Sequence, residues 1–372
     1  MLKKLIYIFA ILVLVVGWSL ADIDEHIGIS TVDEHIGIST VDETIGQTVA
    51  SGAADPCATA NGTTIFCVDP GVVGGTGDGS SAANAYASLS AAEAAEEGDI
   101  RAVAGGYTFL CMSSDGTDDT TAPIFAAWET DADSLINIVG MDFPSDGVWD
   151  DSAYIIKVAA GYSLRIQEEF VNVKNLQVEV DSTGGIGHGI YITTITATNA
   201  VTIEKCIVRA TGGNSNCKGI ETADTDLNLT VLNTIVYGFT YGTGAAMQIQ
   251  TATANIFNCT VSGSDTGIHN VGGTTTVTNS AVFNNTDDYN GTFTATYSAS
   301  DDTQAGTGNI DWANGATDWA ANFTAYATGD FSVKDGDAGI DDAGTDLSGS
   351  GITDDITDKA REGTCDIGAF EF

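Results

Sequence analysis

The segment Val171-Asn172-Val173-Lys174-Asn175-Leu176-Gln177-Val178 recurs four times farther along the chain. In all five copies the third residue is Val or Ile, the eighth is Val, and the second is Asn or Thr. The copies begin at Val171, Val201, Leu229, Ala254 and Thr275. Internal repeats of this kind are typical of solenoid proteins, in which each copy is one unit stacked on its neighbours.

The fifth position of the repeat is a turn residue, Asn in four copies and Lys205 in the other. A turn between two strands leaves backbone groups that the sheet does not satisfy. An Asn side chain can bond to them and to the Asn of the next coil. An antiparallel sandwich would also alternate polar and apolar residues, but it would not require one residue type at one turn.

A second column keeps step with the first and completes the fold assignment. It consists of Gly189-Ile190, Gly219-Ile220, Ala246-Met247 and Gly267-Ile268. Two strand columns in register, separated by loops of variable length, predict an all-β chain that forms a single right-handed parallel β-helix. Successive coils stack about 4.8 Å apart, and alternation turns the valine columns that contain Val173 and Val178 inward.

We divide the chain into five parts by composition and pattern. They are a signal peptide (1–21), a nine-residue tandem-repeat spacer (22–50), the start and cap of the β-helix (51–110), its coils (111–300), and the last coils with a terminal module (301–372). Residues 51–75 look like a loop. Ser88 is placed to cap one short helix over residues 89–96.

The first residues have the pattern of an export signal. Lys3 and Lys4 precede an apolar run, and Ser19-Leu20-Ala21 fits a signal-peptidase site. The run is short for a membrane span, which needs about 20 residues, although an uncleaved anchor is the alternative. We therefore expect a secreted or cell-surface protein without a membrane span after cleavage.

The tandem repeat holds two histidines beside acidic residues. His26 and His35 occupy the same position of successive copies, and Thr44 replaces them in the third. A spacer or an added edge strand is favoured over a metal site.

The chain is strongly acidic, with a net charge of −39. This charge argues against nucleic acid as a partner, because nucleic-acid binding needs a basic face. The acidic residues are interpreted either as a solvated surface or as clustered aspartates that bind calcium. We expect that the protein requires no cofactor. The candidate calcium ligands are Asp354, Asp355 and Asp358 near the end, and Asp115, Asp118 and Asp119 near the start.

Seven cysteines in an exported chain predict disulfides, with one cysteine left over. Cys57 and Cys67 flank a predicted turn and are the best pair. Cys206 and Cys259 share a column but lie two coils apart, about 9.6 Å, which is too far for a disulfide.

The repeats, together with the segments on either side of them, resemble the right-handed parallel β-helix proteins of the pectate-lyase-like superfamily. Residues 77–89 resemble the start of the β-helix in these proteins. The segment Asp366-Ile367-Gly368-Ala369-Phe370-Glu371 resembles a terminal module that recurs among them. Family members usually carry Ser-Pro-Ala where Asp337-Ala338-Gly339 stands here. The resemblance covers roughly residues 65–372. It implies the fold alone, because the superfamily includes lyases, hydrolases, adhesins and phage spikes.

Catalytic residues are not evident. A lyase needs a base, commonly Arg or Lys, and the weak candidates are Lys205, Glu204 and Lys174. Lys205 is the most unusual because it replaces the turn asparagine, but packing of its stem and pairing with nearby acids is the favoured explanation. Acidic doublets such as Asp301-Asp302 fall in loops, which makes them poor glycosidase pairs.

A polar stripe is predicted on one outer face. Tyr191, Glu221, Gln248 and His269 each follow the second column and should stack in line. Such groups suit hydrogen bonding and stacking on a sugar chain, although an ordinary exposed face is the favoured reading of the stripe alone. The leading hypothesis is a structural, adhesive or carbohydrate-binding protein whose partner is a polysaccharide or cell-surface glycan. The alternatives are a polysaccharide lyase or glycoside hydrolase and a phage spike, which the signal peptide disfavours.

Overall fold

The computed structural model describes residues 55, 57, 64–181, 185–193, 200–212, 216–223, 227–240, 242–334 and 339–372. The predicted signal peptide and the tandem repeat with His26 and His35 lie outside the described residues. Within them, no helix is both long and apolar enough to cross a membrane.

Parallel strands stack into three faces, and the middle coils contribute one strand to each face in the same order. Face A contains β1 Ile65–Val68, β2 Tyr107–Cys111, β4 Ile136–Gly140, β7 Val171–Lys174, β10 Ala200–Glu204, β13 Asn228–Leu232 and β16 Thr253–Phe257. Face B contains β5 Ile155–Val158, β8 Gln177–Val180, β11 Ile207–Ala210, β14 Ile235–Tyr237, β17 Thr260–Ser262, β19 Ala281–Phe283, β21 Ala299–Ser300 and β22 Ile310–Asp311. Face C contains β3 Ile124–Phe125, β6 Gly161–Ile166, β9 Gly187–Ile192, β12 Lys218–Thr222 and β15 Ala245–Ile249.

The remaining elements join faces A and C or lie outside the coils. Two long strands, β18 Thr266–Thr278 and β20 Asp287–Thr296, run through face C into face A and join the two into one sheet. Beyond face B lie α2 Ala316–Asn322 and an antiparallel hairpin of β23 Phe323–Ala325 and β24 Asp330–Val333. Short 3-10 helices span Ala82–Asn84, Tyr326–Thr328 and Ser348–Ser350.

The predicted all-β parallel β-helix is confirmed by the strand register. Val171 pairs with Val201, which pairs with Leu229, as the repeat spacing requires. The column continues through Ala254 to Thr275. Ile190 pairs with Ile220, Ile220 with Met247 and Met247 with Ile268, so the second column is in register as well.

Both valine columns are buried inside the coil, as predicted. The third-position residues Val173, Ile203, Val231, Ile256 and Val277 and the eighth-position residues Val178, Val208, Val236, Val261 and Val282 are all fully buried. At about 25 cal/mol per Å² of apolar surface, this continuous aliphatic interior is the main stabilising contribution to the fold.

The predicted cap helix is confirmed as α1 Leu89–Glu96. The side chain of Ser88 accepts a hydrogen bond from the Ala91 amide at 3.0 Å, and Leu89 and Ala92 are buried against the first coils. Two details were wrong: residues 51–75 contain strand β1, and a second helix, α2, was missed. Cys57 and Cys67 form a disulfide, whereas Cys206 and Cys259 are buried and free.

A second apolar cluster lies on the outer side of face B. Outward residues of its strands, such as Ile207, Ile235 and Phe283, pack against the C-terminal part of the chain. The ring of Phe283 stacks on Phe323 with centroids 4.7 Å apart. The covering residues include Trp312, Phe331, Ile340, Ile356, Ile367 and Phe370. Face B is therefore sandwiched between the coil interior and a C-terminal layer, whereas face C carries an outer polar surface.

Candidate functional site

The predicted polar stripe forms one straight column on face C. Tyr191 pairs with Glu221, Glu221 with Gln248, and Gln248 with His269. The register extends the column by one coil at each end, to Arg165 and to Asn290. Six consecutive coils therefore each contribute one outward polar or aromatic side chain to the same line.

A second column lies three residues earlier in each strand, and the sequence reasoning missed it. It contains Tyr162, His188 and Lys218, which pair with one another in register. Strict alternation would turn residues three apart to opposite sides. The ring of His188 nevertheless lies 5.5 Å from that of Tyr191, so both side chains are on the outer surface.

Small residues explain this departure from alternation. A Cβ atom on Gly189 would meet Cγ1 of the inward Val208 at 2.8 Å, and one on Gly219 would meet Val236 at 2.5 Å. Two consecutive positions, the glycine and the following isoleucine, therefore face the interior. The Gly-Ile column visible in the sequence was the signal that could have located His188 and Lys218.

Aromatic rings form a stack at the N-terminal end of the two columns. The rings of Tyr162 and Tyr191 are nearly parallel, with centroids 4.4 Å apart, and His188 stacks on Tyr162 at 5.1 Å. The guanidinium of Arg165 lies 5.4 Å from the centroid of Tyr162 and 5.9 Å from that of Tyr191. Such cation–π contacts fix the position of the arginine. The buried Nε atom of Arg165 has no hydrogen-bond partner among the described residues.

Glu221 organises the side chains around it. One carboxylate oxygen lies 2.7 Å from Nδ1 of His188, and the other accepts hydrogen bonds from the Nε2 atoms of Gln248 and Gln250, both at 2.9 Å. The side chains of His188 and Glu221 are only 9% and 7% exposed. One oxygen of Glu221 thus orients the two glutamines, whereas the other lies close to His188 without a hydrogen bond of good geometry.

Lys218 is an almost fully buried lysine beside this cluster. Its ammonium donates a hydrogen bond to the carbonyl of Thr243. Burial lowers the pKa of Lys218, and the nearby charge of Glu221 opposes that effect only in part. Burial, together with the charge of Lys218, also lowers the pKa of His269. These two groups therefore lose their protons more readily than exposed lysine and histidine side chains do.

The charge of face C differs from that of the whole chain. The chain carries a net charge of −39 with 12 Lys and Arg residues and four histidines. Arg165, Lys218, His188 and His269 all lie in the two columns, whose acidic members are Glu221 and Asp287. With the histidines neutral, Arg165 and Lys218 balance Glu221 and Asp287, so these columns are close to neutral on an otherwise acidic protein.

The three weak catalytic candidates are not brought together. Lys174 and Glu204 form an ion pair of 2.9 Å on the outside of face A. Lys205 lies in the turn between faces A and B, where its side chain is 1% exposed and pairs with Asp354 and Asp358. Burial opposes its protonation, but the hydrogen bonds to these aspartates raise the pKa of Lys205 overall. A lysine held in this way is a poor base.

The C-terminal aspartates predicted as calcium ligands have other partners. Asp354 and Asp358 hold Lys205, whereas Asp355 is fully buried and accepts hydrogen bonds from the amides of Thr357, Lys359 and Glu371. Their geometry does not support a shared calcium site.

The N-terminal acidic group is likewise separated. Asp119 is buried and accepts hydrogen bonds from the Leu89 amide and the Tyr154 hydroxyl, both at 2.7 Å, so it supports helix α1. Asp115 is exposed and bonds to the Thr117 amide. Among the described residues, three carboxylates converge at Asp341, Asp342 and Asp366. Calcium binding therefore stays a prediction.

Comparison with known proteins gives matches among the solved structures. No family model and no curated protein matches the chain. The solved structures include a similar one, the crystal structure of pectate lyase Pel9A, with 15% sequence identity and a TM-score of 0.41 over 85% of this chain and 98% of that chain. A likeness at this level gives no information about substrate or activity. The fold assignment rests on the strand register.

Proposed function

We propose that this chain is an exported β-helix protein that binds a polysaccharide along face C. The observation that carries the proposal is the tyrosine and histidine stack, with Arg165 against it and Glu221 fixing the groups beside it. Aromatic rings and pre-oriented polar groups are the two components of sugar recognition. The rings cover apolar sugar faces, and the polar groups bond to hydroxyls.

The proposed ligand is a linear polymer that lies along the helix axis. Each coil presents its side chains about 4.8 Å from those of the next, so one extended chain would meet the coils in sequence. Tyr191, Glu221, Gln248 and His269 would contact successive parts of it. A rigid solenoid pre-organises this row, which lowers the entropy lost on binding.

The balanced charge of the two columns favours a glycan that carries little or no charge. Arg165 and Lys218 lie near the aromatic stack, whereas Gln248 and Gln250 farther along are neutral. A densely charged polyanion would be repelled by the rest of the acidic surface. We therefore favour sparsely charged or neutral glycans over uniform polyanions.

Binding measurements on a panel of polysaccharides test this proposal. Acidic and neutral polymers would be titrated with and without calcium by affinity electrophoresis and calorimetry. Tyr191→Ala should weaken binding of the best polymer about tenfold, the loss of one stacked aromatic contact. Thr202→Ala, an outward position on face A, is the matched control and should bind like the wild type. Equal binding by both variants would disprove the face C assignment.

A polysaccharide lyase is the second candidate, and Lys218 is the observation that favours it. A lysine whose pKa is lowered by burial is a suitable base for removing the proton next to a uronate carboxylate. Arg165, which lies in the same region, would hold that carboxylate. The proton would pass from the carbon next to the carboxylate to Lys218, and the bond from the neighbouring ring carbon to the glycosidic oxygen would break. That oxygen would take a proton from water and leave as an alcohol, and the new sugar end would carry a carbon–carbon double bond.

The two candidates give different results on one substitution. Lys218→Met would abolish the formation of unsaturated ends in a lyase, whereas a binding protein would produce none before or after the change. If Lys218→Met still binds the polymer, any loss of turnover is due to the chemical step and not to recognition of the polymer. Unsaturated ends from the wild type would overturn the non-enzymatic proposal.

A further inference from the structure

A concave cleft lies away from face C, where the C-terminal layer meets the ends of the face B strands. Its volume is about 320 Å³. Its walls include Arg209, Thr211, Tyr237, Ser262, Tyr326 and Thr328. None of these residues belongs to the two columns of face C, so the cleft is a separate feature of the molecule.

Glycines with left-handed backbones keep the cleft open. Gly238, Gly263 and Gly329 line it and have φ angles of 91°, 63° and 88°. A Cβ atom on Gly329 would lie 3.0 Å from the Tyr237 hydroxyl, and one on Gly238 would lie 2.8 Å from the carbonyl of Ala210. A side chain at either position would be strained and would narrow the cleft.

The aromatic walls are held rigidly. The ring of Tyr237 packs edge-on against buried Phe331 with centroids 5.4 Å apart. Tyr326 contacts Trp319 and Phe283 on the side of the C-terminal layer, at 5.7 and 6.2 Å. Burial raises the pKa of Tyr237, so its hydroxyl stays protonated and can donate a hydrogen bond.

The charge of the cleft is balanced. Arg209 stacks on Trp149, with its guanidinium carbon 3.7 Å from the ring centroid. Its Nε donates to the buried carboxylate of Glu179 at 2.9 Å, and Nη2 lies 3.0 Å from Asp151. The arginine is thus fixed and neutralised, so it offers N–H donors without a net attraction for anions.

We propose that this cleft binds one terminal pyranose of a neutral glycan. Tyrosine walls suit the apolar face of a sugar ring. The hydroxyls of Thr211 and Thr328 donate to Glu179 and to the carbonyl of Ala325, which leaves their oxygens to accept hydrogen bonds from sugar hydroxyls. The volume is at the lower end for ligand pockets and fits a single ring better than a polymer. The inference is independent of the proposed role of face C.

Saturation-transfer NMR with simple glycosides tests the proposal. The probes are the methyl glycosides of glucose, galactose, mannose and N-acetylglucosamine. At least one should give a saturable signal with the wild type. Tyr326→Ala, which removes a wall, should weaken its binding about tenfold, and Thr328→Trp, which fills the cleft, should abolish it. Thr324→Ala, an exposed position on the same hairpin, is the control and should leave binding unchanged.

The outcomes separate this site from face C. Unchanged thermal midpoints must first show that the variants are folded. A Tyr162→Ala/Tyr191→Ala variant should keep glycoside binding in the cleft even where it loses polysaccharide. The proposal would be overturned if glycoside binding survived in both Tyr326→Ala and Thr328→Trp. It would also be overturned if no glycoside gave a saturable signal with the wild type.

Discussion

The ammonium of Lys205 lies 2.8 Å from a carboxylate oxygen of Asp354, 149 residues later in the chain. Lys205 occupies the turn position that is Asn in the other four repeats. All five residues at this position have positive φ angles, between 49° and 56°. Asn tolerates this left-handed conformation better than other side chains, which explains its recurrence. Lys205 instead anchors the C-terminal layer to the coils.

Removing the Lys205 anchor should destabilise the protein. Lys205→Ala leaves Asp354 and Asp358 without their partner and places Ala at a positive φ angle. We expect the free energy of unfolding to fall by about 1–3 kcal/mol. Solvent screening moderates the loss, because both aspartates are partly exposed. Chemical denaturation measures it. The loss should shrink in an Asp354→Asn/Asp358→Asn background, and an undiminished loss there would contradict the role of the ion pairs.

Truncating the inner valine column should weaken the whole β-helix. Val231 is fully buried between Ile203 and Ile256 of the adjacent coils. Val231→Ala removes apolar contact and leaves a cavity, at a cost of about 1–3 kcal/mol in the free energy of unfolding. Thr230→Ala, on the outer side of the same strand, should cost much less. Equal losses in denaturation would show that the inward register is wrong.

Asp288 should make stability depend on pH. Burial, with the nearby charge of Asp301, raises the pKa of Asp288 to about 7. The unfolded chain loses this proton near pH 4, so the folded state binds the extra proton between about pH 4 and 7. This contribution to the free energy of unfolding is therefore complete below about pH 4 and is lost as the pH rises through about 7. Asp366, whose pKa burial raises to about 6, acts in the same direction.

The variant Asp288→Asn isolates this effect. Its side chain cannot titrate, so the fall in stability between about pH 5 and pH 8 should become shallower. Asp311→Asn, an exposed change on β22, should keep the wild-type slope. Denaturation midpoints at both pH values are the measurement. A wild-type slope in Asp288→Asn would refute the assignment.

Calcium should stabilise the folded protein only modestly. The net charge of −39 produces self-repulsion that a bound cation would reduce. The predicted aspartate groups are largely occupied by other hydrogen bonds, so weak binding is expected. Thermal unfolding with calcium and with chelator, at fixed ionic strength, measures the effect. If calcium leaves the midpoint of thermal unfolding unchanged, the acidic residues serve solubility alone.

The fold was predictable because each coil repeats the same local pattern. The register of Val173, Ile203 and Val231 follows from sequence spacing alone, since parallel coils must align equivalent residues. The turn asparagines were also visible, but their partners were not. Asn233 and Asn279 donate hydrogen bonds to the carbonyls of Asp354 and Thr345 in the C-terminal layer. Contacts across more than 60 residues leave no local pattern in the sequence.

The site was predictable in part, for a related reason. Strand alternation located Tyr191 and Glu221 on one line, and their register confirms that placement. Strict alternation counted from Tyr191 and Glu221 would place the side chains of His188 and Lys218 inward, because it takes no account of two consecutive inward positions. The free energy that these columns contribute to binding depends on burial and charge together, and these are properties of the folded surface.

The most direct test of the central claim is a crystal structure with an oligosaccharide of the polymer that binds most tightly. We predict that the sugar chain lies along face C, with rings against Tyr162 or Tyr191 and hydroxyl contacts that continue to Gln248. The guanidinium of Arg165 should approach the ligand. An oligosaccharide bound on the outer surface of face A, with face C empty, would contradict the account.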